Sequence, residues 1–202
     1  MATKTTISWE GFLASGSEDQ RWEWVDGEIT QMTAASFWHE IVLARLMTHV
    51  TAFCESHPDW LWVPSNAVFT MDSGNWRLPD LSMFKKERLP NGVIPTTRAE
   101  FAPDIAFEIL SPGNSPSYIQ QKRKDYGESG VIQVWIDPEK RFIELIYPDR
   151  ALEYVREGES SRSAVFRSSA WRSKISSPSD RPTRAQKRLT RKGLDLPALR
   201  GF

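Results

Sequence analysis

The chain has 202 residues, 40% of them hydrophobic, with nine Trp and ten Phe, enough for one domain with a sizeable core. Lys plus Arg and Asp plus Glu both number 26, yet residues 161–202 hold eleven Lys/Arg against two acids (+9), so residues 1–160 carry −9. A single cysteine, Cys54, excludes an internal disulfide and points to a reducing, cytoplasmic compartment, while no apolar run of about 18 residues suits a membrane span and no secretion signal is expected.

In chain order, "TISWEGFLASGS" reads as a short helix ending near Gly16. "RWEWVDGEITQM" (21–32) alternates about Asp26-Gly27, and an Asp-Gly pair between strand-like runs predicts a hairpin. Residues 36–55 predict a helix with Ser36 as N-cap and an apolar stripe of Val42, Leu43, Leu46, Val50 and Phe53. "LWVPSNAVFTMD" reads as a strand interrupted by Pro64, and "WRLPDLSMF" (76–84) as a second strand. Residues 85–102 form a long polar connection with Pro90, Gly92 and Pro95. "PDIAFEILS" (103–111) is a strand, and residues 116–129 a helix with Pro116 in its first turn, Asn114 or Ser115 as cap, and Gly130 at its end. "VIQVWIDPEKRFIELIYP" predicts two strands about the turn "DPEK", and "ALEYVREGES" an edge strand.

This order argues for a mixed α+β chain: one mixed sheet flanked by helices, with an N-terminal hairpin. From about residue 160 the periodicity decays into a Ser-, Arg- and Pro-rich stretch. The expected boundary is therefore a folded domain over 1–160 and a basic, poorly ordered tail over 161–202. The tail reads as a solvated segment, as an arm for nucleic acid, or as an unselected ending.

The chemistry begins with Glu108, an acid inside the apolar run D-I-A-F-E-I-L (104–110). Strand alternation puts Asp104, Ala106 and Glu108 on one face and Ile105, Phe107 and Ile109 on the other. Asp104 is about 13 Å away along the strand, too far to share an ion with Glu108. Asp80 in "LPDLSMF" converges with Glu108 if the two strands are neighbours. Adjacent carboxylates repel unless protonated or holding a cation, and oxygen ligands suit Mg²⁺ or Mn²⁺. On the helix that follows, Ile119, Lys122, Arg123 and Tyr126 share a face, so Lys122 or Arg123 can reach back over Glu108. Each residue also has a plainer reading: Asp80 as a turn acid, Glu108 as solvent-facing on an open sheet, and Lys122, Arg123 and Lys124 as a solvated helix face. A zinc or thiol enzyme is disfavoured, because His39, His49 and His57 lie on or near one helix without paired cysteines, and Cys54 lacks a matched base.

"WEWVDGEITQM", "WHEIVLARL", "RLPDLSMF", "PDIAFEILSP" and "QKRKDYGESGVIQVWIDPEKRFIEL", in that order, resemble the bacterial putative restriction endonuclease family of the PD-(D/E)xK phosphodiesterase superfamily. The resemblance covers about residues 8–160. It implies a restriction-endonuclease-like fold and Mg²⁺-dependent (or Mn²⁺-dependent) cleavage of DNA. By position, Asp80 and Glu108 match the metal-binding acids and Glu23 an acidic position in the hairpin. Lys122 matches the family's helix lysine, which replaces the usual lysine two residues after the second acid; that position here is Leu110. His39 matches a histidine near the start of the long helix and is carried as an accessory residue, with capping or packing as its alternative role. Arg123 and Lys124 are expected on nucleic acid. The departures are Gln133 where an acid is usual, Trp22 where Tyr is usual, and an ending not recognisable after Ser160. The expectation is a DNA endonuclease, with a homodimer left open. The alternative is a nuclease-fold protein that binds nucleic acid or a protein partner without cutting.

Overall fold

The computed structural model describes residues 4–6, 21–32, 34–149 and 151–156. The hairpin forms as read, with β2 (Trp22–Val25) pairing antiparallel to β3 (Glu28–Gln31). Its two turn residues, Asp26 and Gly27, have φ of 51° and 82°. This left-handed pair is what a two-residue turn matched to strand twist requires. β1 (Lys4–Thr6), β5 (Phe69–Thr70) and β6 (Trp76–Arg77) join the hairpin in an antiparallel five-stranded sheet, order β1-β3-β2-β6-β5.

A second sheet is built from β4 (Trp60–Pro64), β7 (Leu81–Lys85), β8 (Ile105–Ile109), β9 (Ile132–Asp137), β10 (Phe142–Ile146) and β11 (Glu153–Arg156). Its order is β11-β10-β9-β8-β7-β4, and β11 is an edge strand as expected. Only β8 and β9 run parallel, and helix α2 (Pro116–Glu128) makes the crossover between them.

Three strand readings change. The sheet is not single, because the hairpin nucleates a sheet of its own. Residues 76–84 are not one strand: β6 and β7 belong to different sheets, and the chain crosses between them at Leu78–Asp80. Pro79 has no N–H to continue a ladder, which permits the corner there. The run 61–72 divides in the same way, with β4 in one sheet and β5 in the other. Residues 85–102 contain two single 3₁₀ turns, Lys86–Arg88 and Pro90–Gly92.

Helix α1 (Phe37–Ser56) starts at Ser36, whose Oγ accepts the His39 N–H at 3.2 Å. Its buried stripe of Val42, Leu43, Leu46 and Val50 packs on Leu81, Met83, Ile105, Phe107 and Ile109. The opposite face of the six-stranded sheet carries Ala106 and Trp135, which pack with Tyr126 of α2. Burying each large apolar side chain contributes about 1.5–3 kcal/mol, so both layers matter to stability. β8 is buried at all five positions, which excludes the open-sheet reading of Glu108. Asp104 has a separate structural job: it accepts the Lys85 N–H at 2.8 Å and the Arg88 guanidinium at 2.7 Å.

Of "TISWEGFLASGS", Thr6 lies in β1 and the rest is outside the described residues, as is the 161–202 tail. No described helix is long and apolar enough to cross a membrane.

Candidate active site

The β7–β8 register pairs Leu81 with Phe107, so the corner residue Asp80 falls opposite Glu108 one step further on. The corner is pinned in place. Asp80 Oδ2 accepts the Ile109 N–H at 2.8 Å and lies 3.0 Å from His39 Nε2. Burial would raise the Asp80 pKa, but the His39 hydrogen bond, with Lys122 and Ile109, outweighs it and the net direction is down. The other oxygen, Oδ1, is 3.9 Å from Arg21 Nη2.

His39 is placed by the Ser36 cap, one turn into α1. Its Nδ1 lies 3.2 Å from Glu40 Oε1, so both ring nitrogens face carboxylates. Burial pushes the imidazole pKa down, while Asp80 and then Glu40 push it up and win. Capping and site roles therefore coincide in one turn: Ser36 caps, and His39 reaches Asp80.

Glu108 points at α2. The Lys122 Nζ lies 2.8 Å from Oε1 and donates to Oε2 at 3.0 Å, and the Tyr126 hydroxyl donates to Oε1 at 2.6 Å. Burial pushes the Glu108 pKa up to about 7; Lys122 opposes this and the Asp80 charge adds to it.

Lys122 is 1% exposed. Besides Glu108 it meets Glu23 Oε1 at 3.0 Å and the Leu78 carbonyl at 3.1 Å. Its three N–H groups thus have three acceptors within the protein. Tyr118 and Tyr126, four residues before and after it on α2, bracket the ammonium with ring centroids at 5.5 and 6.0 Å. Burial alone would lower the Lys122 pKa; Glu108 and Glu23 hold it well above the usual lysine value.

Glu23, from β2, is fully buried. It accepts from Arg77 Nη1 at 2.8 Å, the Leu78 N–H at 3.0 Å and the Tyr118 hydroxyl at 3.0 Å, in addition to Lys122. Its oxygens are spent on protein donors, so it braces the lysine. Arg77, also buried, donates through Nε to Asp125 Oδ2 at 2.7 Å and so ties β2, β6 and α2 together.

Asp80, Glu108, Lys122, Glu23 and His39 are therefore gathered from five different elements or corners. Arg123 and Lys124 are not. Arg123 pairs with Glu144 of β10 and lies over the Trp135 ring at 4.9 Å, while exposed Lys124 sits 3.8 Å from Glu128 on its own helix. Leu110 packs at the edge of the core beside α2, and Gln133 donates to the Arg123 carbonyl at 3.0 Å and accepts from Trp135 Nε1 at 2.9 Å. Sequence reasoning missed Arg77, Tyr118, Asp125 and Arg21. Tyr118 had a usable signal, its spacing of four from Lys122; the others had none, because their partners are remote in sequence.

Which residues could hold a metal follows from the donors left over. Among the described residues no group of three or more His, Cys, Asp or Glu is placed to hold an ion. Asp80 Oδ1 and Glu108 supply an oxygen-only pair. Such a pair fits Mg²⁺ or Mn²⁺, which is commonly held by one or two carboxylates with waters and phosphate oxygens filling the rest. It does not fit a structural zinc.

Residues 9–174 match the model of the Uma2 family, described as "putative restriction endonuclease". No curated protein matches the chain. Among solved structures, the crystal structure of a "putative nuclease belonging to DUF820" from Anabaena variabilis ATCC 29413 superposes with a TM-score of 0.66 at 22% identity. The match covers 76% of this chain and 87% of that one, and shows a shared fold.

Proposed function

The chain belongs to the putative restriction endonuclease family, and from that premise we propose that it is a metal-dependent endonuclease that hydrolyses DNA phosphodiester bonds. One observation carries the reading: Asp80 and Glu108 come from neighbouring strand ends to one buried corner, with Lys122 donating to Glu108. A carboxyl held near neutrality beside a second acid is a group that gains from a cation.

Asp80 and Glu108 are the residues that would hold Mg²⁺ or Mn²⁺, which when bound supplies Lewis-acid polarisation of the phosphodiester and a water of lowered pKa. The other steps belong to the chain. His39 and the Ile109 N–H hold Asp80 Oδ2, which leaves Oδ1 turned toward Arg21. Glu23 and the Leu78 carbonyl anchor two of the Lys122 protons. The third N–H is aimed at Glu108, from where it can orient a water or meet charge developing on a phosphate oxygen. The lysine comes from α2 instead of standing two residues after the second acid, and the bracket by Tyr118 and Tyr126 fixes its approach.

Purified protein should nick supercoiled plasmid in Mg²⁺, and neither Asp80→Ala nor Glu108→Ala should do so. Cleavage that survives both substitutions would sink the assignment.

A second reading, binding of nucleic acid without cutting, is favoured by the full use of the Lys122 protons inside the protein. Salt-dependent duplex binding with no product in either Mg²⁺ or Mn²⁺ would select it.

A further inference from the structure

Three cations near the carboxylate corner are held in ion pairs of 3.2 Å or less. Lys122 is taken by Glu108, Glu23 and Leu78, Arg77 by Glu23 and Asp125, and His39 by Asp80 and Glu40. Arg21 differs. It precedes β2 at the open end of the hairpin, where its carbonyl accepts the Met32 N–H at 2.9 Å. Its Nη2 stands 3.9 Å from Asp80 Oδ1, beyond hydrogen-bond range, and its side chain is 25% exposed. Its Nε is buried with no hydrogen-bond acceptor among the described residues.

We propose that Arg21 is the residue that grips the phosphodiester at this site, through a guanidinium whose Nε–H has no hydrogen-bond acceptor among the described residues and whose Nη2 stands out of hydrogen-bond range of Asp80. The proposal rests on the nuclease reading. A guanidinium presents its N–H groups as a rigid fork that matches two oxygens of one phosphate. A phosphodiester bears two non-bridging oxygens. Arg21 faces solvent on one side and the Asp80 carboxylate on the other, so a phosphate set against Asp80 and Glu108 lies within its reach. The rival role is a loose screen for the Asp80 charge. Lysine would serve for screening, but it cannot reproduce the fork.

The test compares wild type, Arg21→Lys and Arg21→Met on a cleavage-resistant phosphorothioate duplex, by fluorescence anisotropy across a salt series. Both variants are expected to bind about tenfold or more weakly, and Arg21→Met, which removes the charge, should also reduce the salt slope by about one. Thermal unfolding should stay close to wild type. Mn²⁺ binding, followed by paramagnetic resonance, should be unchanged in Arg21→Lys and unchanged or tighter in Arg21→Met, where the positive charge beside Asp80 has gone. Wild-type duplex affinity in either variant, a lysine that substitutes fully, or Mn²⁺ binding and folding lost in parallel would overturn the proposal. So would absence of duplex binding by wild type. A wild type that binds but never nicks plasmid would end the nuclease reading alone, and the affinity comparison would still decide Arg21.

Discussion

Glu108 and Asp80 lie side by side, yet their pKa values move in opposite directions, and the reason is partners. Asp80 has His39 and a backbone N–H; Glu108 is buried, and the cost of its desolvation exceeds what Lys122 returns. The sign of the pH dependence follows. Glu108 binds its proton more tightly folded than unfolded, where it titrates near 4.5. Its contribution to stability is therefore complete below about 4.5 and is lost as pH rises through about 7. His39 acts in the same sense, with its contribution present below 6.5 and lost as pH rises through its raised value. Asp80 acts in reverse, losing its contribution as pH falls through its lowered value. In metal-free urea melts, the stability of wild type relative to Glu108→Gln should fall by on the order of 1–3 kcal/mol between pH 4.5 and 7. A difference that is flat with pH would mean Glu108 is not held neutral by burial. At this scale the acids and the lysine were legible, because a carboxylate in an apolar run and a lysine on the next helix are sequence-local oddities. Arg77 was not: its meaning lies in Glu23 and Asp125, which are far from it along the chain.

The elements aim these residues. The first turn of α1 sets His39 against Asp80, and Ser36 holds that turn. Ser36→Ala should cost about 1 kcal/mol of stability, the usual loss for an N-cap. It should also lower cleavage at fixed protein concentration, because the His39 hydrogen bond to Asp80 loosens; full activity in a destabilised Ser36→Ala protein would separate the cap from the site. Helix α1 could be read from apolar spacing and its cap residue, and α2 from Pro116, its cap candidates and Gly130. The two-residue strands β5 and β6 lie within runs read as strand, but their separation from β4 and β7 into another sheet could not be read. Strands that short carry no period, and only the neighbour they pair with makes them strands. The corner at Leu78–Asp80 was hidden for the same reason, although Pro79 marked where a ladder could stop.

On the scale of the molecule, the two sheets are locked together by buried charge. Arg77 sits in the five-stranded sheet and holds Glu23 of that sheet and Asp125 of α2, which packs on the other. Arg77→Met would leave buried Asp125 without its cation and Glu23 with Lys122 alone. Chemical denaturation should show a loss of about 3–5 kcal/mol, well above that of a surface substitution. A loss below about 1 kcal/mol would mean that the pairs do not join the sheets energetically. Charge is also divided along the chain, −9 over 1–160 and +9 over 161–202. Deleting 161–202 should weaken duplex binding and lower the salt slope, by about 0.9 for each phosphate that the tail neutralises. An unchanged slope would leave the tail without a part in binding.

The sequence by itself determined the hairpin at Asp26-Gly27, the two capped helices, and the strand alternation that turns Ile105, Phe107 and Ile109 one way and Glu108 the other. These depend on local sterics and on burial periods of two and 3.6, which a chain displays without its neighbours. It also carried the family resemblance. Only the tertiary structure decided that there are two sheets, that Asp80 stands opposite Glu108, that Glu23 braces Lys122 instead of keeping free oxygens, and that Arg123 belongs to Glu144. Those outcomes depend on which strands become neighbours and on which donors reach which acceptors across separations of up to 95 residues. No local pattern encodes that competition. It is settled when buried charges, too costly to leave alone, find their partners.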